Sequence, residues 1–180
     1  GVPITEYDTV NFSLGAEHNK VEVFEDSPIR YRDFVRDFGK SNLTWLARAG
    51  WARDTRDSAL WPTQGRVMRV NTEFGLPGGD IEYGKFVHAQ QWFFPLSKTF
   101  TLALSGELSF VQPYGSTEKM PFYQNFFLGG IGSLRGFETG TIGPKDENGD
   151  AYGGTHFFSM IDFVGRKSIH PLQSLGIGKV

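Results

Sequence analysis

Residues 99–110 read TFTLALSGELSF, and the alternation in this stretch decides the fold. Phe100, Leu102, Leu104, Leu108 and Phe110 fall on one side, and Thr99, Thr101, Ser105, Glu107 and Ser109 on the other. A period of two belongs to an extended strand, whose successive side chains point to opposite faces. The pattern returns along the chain. Val10, Phe12, Leu14 and Ala16 oppose Thr9, Asn11, Ser13, Gly15 and Glu17. Leu43, Trp45, Ala47, Ala49 and Trp51 oppose Asn42, Thr44, Arg48 and Gly50. Met68, Val70, Thr72, Phe74 and Leu76 oppose Arg69, Asn71, Glu73 and Gly75. Residues 83–94 alternate less cleanly and end in Trp92, Phe93 and Phe94, and residues 155–163 form a weaker candidate. The expectation is an all-β, antiparallel architecture with about six strands.

Composition says where such strands would sit. The chain of 180 residues fits one domain and carries 17 Phe, 6 Tyr, 4 Trp and 23 Gly. Its mean hydropathy is nevertheless −0.30, which suggests alternating surfaces rather than one large core. No run approaches the ~18 apolar residues of a spanning helix, which excludes a helical membrane protein. The strands exceed the ~5–6 residues usual in soluble sheets and match the span of a tilted membrane barrel wall.

The connections agree with this. Short turns lie at 57–65 and 95–98, longer polar segments at 25–40 and 113–153, and a Gly-Pro turn at 76–80. Short turns on one rim and long loops on the other mark an outer-membrane barrel, with Trp61, Trp92, Phe93 and Phe94 placed for an interfacial aromatic girdle. A soluble β-sandwich also alternates, but it would need short strands with turns every ~8–12 residues.

The glycine-rich stretch 129–145, GGIGSLRGFETGTIGPK, invites a phosphate-binding reading. A dinucleotide fingerprint would place glycines at 130, 132 and 135, but Arg135 holds the third position and Gly136 comes one residue late. No Gly-Lys-Ser/Thr follows, and residues 139–152 are turn chemistry rather than a helix. The acidic run at 146–150 lacks the glycine spacing and closing Glu of a calcium loop. His18, His88, His156 and His170 have no metal-ligand spacing and read as lumen-facing or rim residues. Ser133 lacks a nucleophile-elbow context. Arg30, Arg32, Asp33, Arg36 and Asp37 read as a solvated mixed-charge loop. With no Cys there is no thiol chemistry, and a net charge of −2 with pI about 6.1 offers no field for nucleic acid. Neither an enzyme constellation nor a metal or cofactor is expected.

Residues 120–130, then Ser133, Leu134, Arg135, Gly136 and Phe137, then 142–145, then Gly153 and Gly154, together resemble the sixth extracellular loop of the Omp85 superfamily. Its hallmark there is an Arg-Gly-Phe/Tyr triplet after a small apolar residue. Residues 1–9 and 60–65 resemble two of the family's periplasmic turns. The resemblance covers residues 1 to about 154, with 155–180 a weak strand and a divergent or truncated tail. It implies an outer-membrane barrel of sixteen strands, preceded by periplasmic POTRA domains, that folds and inserts other barrel proteins without nucleotide. This chain would supply the seventh to twelfth strands, a partial barrel without the first and last strands of the family's lateral gate.

The resemblance further implies that the 113–153 loop folds into the lumen. There Gly129, Gly130, Gly132, Gly136, Gly140 and Gly143 would allow bends and close approach. Arg135 would be an anchor needing carboxylate partners, with Phe137 packing beside it. Asp162 is the nearest candidate partner, about one position early, and the family's F-x-D-x-G strand is absent. The implied partners are unfolded outer-membrane proteins as substrates, outer-membrane lipids, and accessory assembly lipoproteins reached through the POTRA domains. Two alternatives stay open: a two-partner secretion transporter of the same superfamily, and a small self-contained outer-membrane barrel. No leader precedes Gly1, so the chain reads as mature, trimmed or excerpted.

Overall fold

A computed structural model describes residues 1–25, 27, 29–130, 137–145, 149, 151 and 153–166, with residue 30 and residues 161–166 described by their backbone alone. The alternating segments become strands: β1 (Val2–Pro3), β2 (Asp8–Lys20), β3 (Ser41–Asp54), β4 (Gly65–Leu76), β5 (Tyr83–Pro95), β6 (Phe100–Pro113) and β7 (His156–Arg166). They form one antiparallel sheet in chain order, each strand paired with the next. The six long strands have 11 to 14 residues. The seventh, β1, is a two-residue stub within a segment that reads as a turn; Val2 pairs with Val10. Among the described residues no helix is long and apolar enough to cross a membrane.

Register fixes what each face carries. Directly opposed residues share a face, so Phe12, Ala49, Thr72, Phe86 and Phe110 form one transverse row, and Val10, Trp51, Val70, His88 and Leu108 the next. This face looks outward, with Phe12 79% exposed and Leu14, in the neighbouring row, 84%. The other face is mostly polar and is covered toward its long-loop end, where Asn42 and Ser109 are both at 0% exposure. Such an inversion is unstable in water but suits a wall between lipid and a packed lumen.

The cover comes from the long-loop end. Residues 25–40, expected as a solvated loop, instead contain a helix, α1 (Ile29–Phe38). Tyr31, Phe34, Val35 and Phe38 recur at helical spacing and make one apolar stripe, while Arg36 pairs outside with Asp33 and Asp37. Phe34 is buried with Leu46, Ile81, Tyr83 and Val111, and the 3-10 turn Phe122–Gln124 of the β6–β7 connection packs beside them. Two further expectations are corrected by register. Phe93 pairs with Gly65 and Ala103 in the inner rows, so it is not part of an outer girdle. His88 lies mid-strand in an outward row between Val70 and Leu108, neither in the lumen nor at a rim. A strand that alternates imperfectly, as 83–94 does, leaves its phase to its neighbours.

Candidate functional site

The feature that distinguishes this wall is the seat it builds for the 114–155 connection. The connection is tied down first where it leaves β6. Ser116 N–H donates to Glu82 Oε2 at 2.9 Å, Glu82 N–H donates to Thr117 Oγ1 at 2.8 Å, and the Tyr114 hydroxyl donates to Gly75 O at 2.7 Å. Leaving few polar groups unpaired lets this loop lie against the wall.

A second attachment is built from four strands. Arg48 of β3 lies between two carboxylates, ion-paired through Nε to Glu73 of β4 and through Nη2 to Glu17 Oε2 of β2 at 3.5 Å. The Tyr83 hydroxyl of β5 donates to Glu73 Oε1 at 2.5 Å. Because that hydroxyl gives its proton to Glu73, its oxygen is left to accept, and Gln124 Nε2 of the loop donates to it at 3.0 Å. The other end of the same amide accepts from Lys85 Nζ at 3.3 Å. Lys85 also lies 5.0 Å from the centroid of the Phe126 ring, a cation–π contact. Both ends of Gln124 are thus held by adjacent inner positions of β5. Apolar packing continues the seat: Phe122 stacks on Tyr31 with centroids 3.9 Å apart, and Tyr123 meets Phe34 edge-on at 5.6 Å. Burial, reinforced by the Glu17 charge, pushes the Tyr123 hydroxyl up to about 12, so it stays protonated and neutral in the seat.

Beyond the seat the connection folds on itself. Phe126 and Gly154 exchange two backbone hydrogen bonds at 2.9 Å, Ile142 N–H donates to Leu128 O at 3.0 Å, and Gly130 N–H donates to Phe137 O at 3.1 Å. Gly129 and Gly130 turn the chain with φ of 121° and 93°, and a Cβ on Gly129 would stand 2.3 Å from Glu138 O. Gly140 and Gly143 also have positive φ, and Phe137 is exposed. Gly132, Leu134, Arg135 and Gly136 lie outside the described residues. The backbone of Asp162 pairs opposite Leu104, and its side chain is likewise outside what is described.

The seat itself escapes sequence reading. Glu17, Arg48, Glu73, Tyr83, Lys85 and Gln124 read only as polar positions on separate strands, or as part of a loop motif. Their phase put the strand residues on the inner face; nothing local said that they converge. Among the described residues, no group of three or more His, Asp or Glu could hold a metal ion.

Fold and seat together define a class: a transmembrane β-barrel wall, apolar outside, whose long loop is fastened to the inner surface. A family model, the Omp85 superfamily domain, matches residues 1–160, and the chain belongs to that superfamily, a family of outer-membrane barrels. It is 50% identical over 165 residues to the outer membrane protein assembly factor BamA of Neisseria meningitidis, covering 85% of this chain and 21% of that protein. It is 34% identical over 119 residues to the mouse sorting and assembly machinery component 50 homolog, covering 61% of this chain and 25% of that protein. The crystal structure of BamA from Haemophilus ducreyi lacking POTRA domains 1–3 matches with a TM-score of 0.77 at 25% identity, over 88% of this chain and 34% of that one. The chain therefore spans about a fifth of the length of the first of these relatives.

Proposed function

We propose that this chain is the middle wall of an outer-membrane insertase, a machine that folds β-barrel proteins and inserts them into the outer membrane. The observation that carries the reading is the seat: four strands spend charged and aromatic inner-face groups on holding one loop in a lumen. A simple pore would gain from leaving that lumen open. Residues 1–154 are the middle strands with their extracellular loop 113–153, and 155–180 are a weak strand with a divergent or truncated tail. The work is binding and templating rather than catalysis, with no cofactor. Its substrates are unfolded outer-membrane proteins, its surroundings are outer-membrane lipids, and accessory assembly lipoproteins engage it through POTRA domains outside this chain.

In this reading Leu134, Arg135, Gly136 and Phe137 form a lumen anchor beyond the Gln124 seat. Gly129, Gly130, Gly132, Gly140 and Gly143 shape the loop. The test is barrel assembly into proteoliposomes by the full-length protein that contains this segment. Arg135→Ala is expected to cripple assembly, because a point charge and a planar fork are both lost. Arg135→Lys restores it only in part, since an ammonium cannot pair bidentately. Unimpaired assembly by the alanine variant would sink the anchor role.

A further inference from the structure

The outward face is apolar along most of its height but carries two arginines at its short-turn end. Arg53 on β3 pairs opposite Met68, and Arg66 on β4 pairs opposite Trp92. Both therefore lie in outward rows, as diagonal neighbours on adjacent strands, a placement that brings side chains within about 7–8 Å of one another. Two like charges on a membrane-facing surface need an anion.

The fold supplies only part of one. Arg53 Nη1 stands 3.7 Å from Asp8 Oδ2, a loose pairing. Asp8 is held more closely by the Thr5 hydroxyl at 2.7 Å and by the Trp51 indole N–H at 3.2 Å. Arg53 Nε is buried and has no hydrogen-bond partner among the described residues. The Arg66 guanidinium is exposed and has no partner among the described residues; only its backbone is engaged, the N–H donating to Thr55 Oγ1 and the carbonyl accepting from Thr55. Other nearby carboxylates are committed elsewhere: Asp54 to Arg56 at 2.6 Å, and Asp57 to Thr63 and Gln64 of its own turn. The patch keeps a surplus of one positive charge over Asp8.

We propose that Arg53 and Arg66 form a binding site for an anionic glycerophospholipid. Its phosphodiester carries the one negative charge that the patch lacks and accepts from the Arg66 fork and from the exposed part of the Arg53 guanidinium. Trp92 shares the outward row of Arg66, and Trp51 lies on the same face two residues along β3 from Arg53, indoles of the kind that meet headgroups. Further along the same face of β4 from Arg66, Met68 and Val70 offer an apolar track for an acyl chain. The site rests on the outward face lying against lipid; it does not depend on the loop anchor or on insertase activity.

Native mass spectrometry of the full-length protein, released from micelles containing phosphatidylglycerol and phosphatidylcholine, tests it. The wild type is expected to retain phosphatidylglycerol in preference. Arg66→Gln lowers that preference about fivefold, the worth of one arginine near an anionic surface. Arg53→Gln with Arg66→Gln abolishes it, and Arg66→Lys keeps most of it. Because the Arg66 side chain makes no hydrogen bond or ion pair among the described residues, its variant stays informative even where the Arg53 variant folds poorly, as heat-modifiable migration will show. Equal retention of the two lipids by the wild type, or unchanged preference in the double variant, overturns the site. Displacement by inorganic phosphate alone would also overturn it, by making it an anion site without a lipid. An insertase defect that leaves phosphatidylglycerol retention intact would bear on the proposed function and not on this site.

Discussion

The two faces of one sheet obey opposite rules. Outside, Phe12, Leu14, Trp45, Phe74, Phe100 and Leu108 stand exposed. Inside, Asn42, Thr44, Thr101 and Ser109 are buried, and Arg48, Glu73, Tyr83 and Lys85 join into a network under a helix and a loop. In a soluble protein the first face would be the core and the second the surface. The inversion means that apolarity outside is solvated by lipid, whereas polarity inside must be satisfied side chain by side chain. The outer face is tolerant of which apolar residue it carries; the inner face is specific about partners.

That contrast can be attacked from either side. The largest effect should come from the inner cover. Phe34→Ala removes the ring that joins α1 to Leu46, Tyr83 and Val111 and is expected to cost about 3–5 kcal/mol, read by denaturant unfolding of the full-length protein in detergent. If the cost stays within a few tenths of a kcal/mol, α1 is not a structural cover. Next comes a matched pair on two strands that flank β5. Leu108→Arg on the outward face should cost about 2–4 kcal/mol at mid-membrane, while Asn71→Arg on the inner face should cost far less. Equal costs would erase the distinction between the faces.

A smaller effect tests the seat. Tyr83→Phe deletes the donor to Glu73 and the acceptor for Gln124 together, for about 1–3 kcal/mol. The loop should also become cleavable by protease near residue 124 in intact membranes, whereas Phe86→Leu, on the opposite face of the same strand, should leave it protected. The smallest effect lies in the short turn at 55–64. Burial pushes the Asp57 carboxyl up, but hydrogen bonds from the Thr63 side chain and from the Thr63 and Gln64 amides outweigh it and hold the group below the usual carboxylate range. A carboxyl depressed in the folded state stabilises above its unfolded pKa, so the contribution is present at neutral pH and fades as pH falls below about 4. Asp57→Asn should flatten the acid limb of a stability–pH profile measured on the full-length protein; an unchanged limb would assign it to other carboxylates.

Much of the fold was legible because strand phase is written locally. The alternation in 99–110, 43–51 and 68–76 set which side chains face which way, and the unequal connections set which strand ends share a rim. Where the alternation is imperfect the reading slipped, as at Phe93 and His88, whose phases are fixed by pairing with β4 and β6. Helix α1 was missed although its signal was present: Tyr31, Phe34, Val35 and Phe38 repeat at helical spacing amid Arg and Asp, and the charges drew the eye to solvent. Its direction of packing had no such signal, because an amphipathic stripe says only that something must cover it.

What the sequence determined by itself is therefore the wall: extended strands with one apolar and one polar face, too long for a soluble sheet, joined in an order that needs no crossover. Period-two patterning suffices for that, since each residue's side follows from its neighbour's. Only the tertiary structure decided what fills the inside. Glu17, Arg48 and Glu73 meet across three strands, and Gln124 reaches Tyr83 and Lys85 from a different connection. Partners separated by tens of residues are brought within hydrogen-bond reach by register and curvature, and no local pattern encodes a distance between strands.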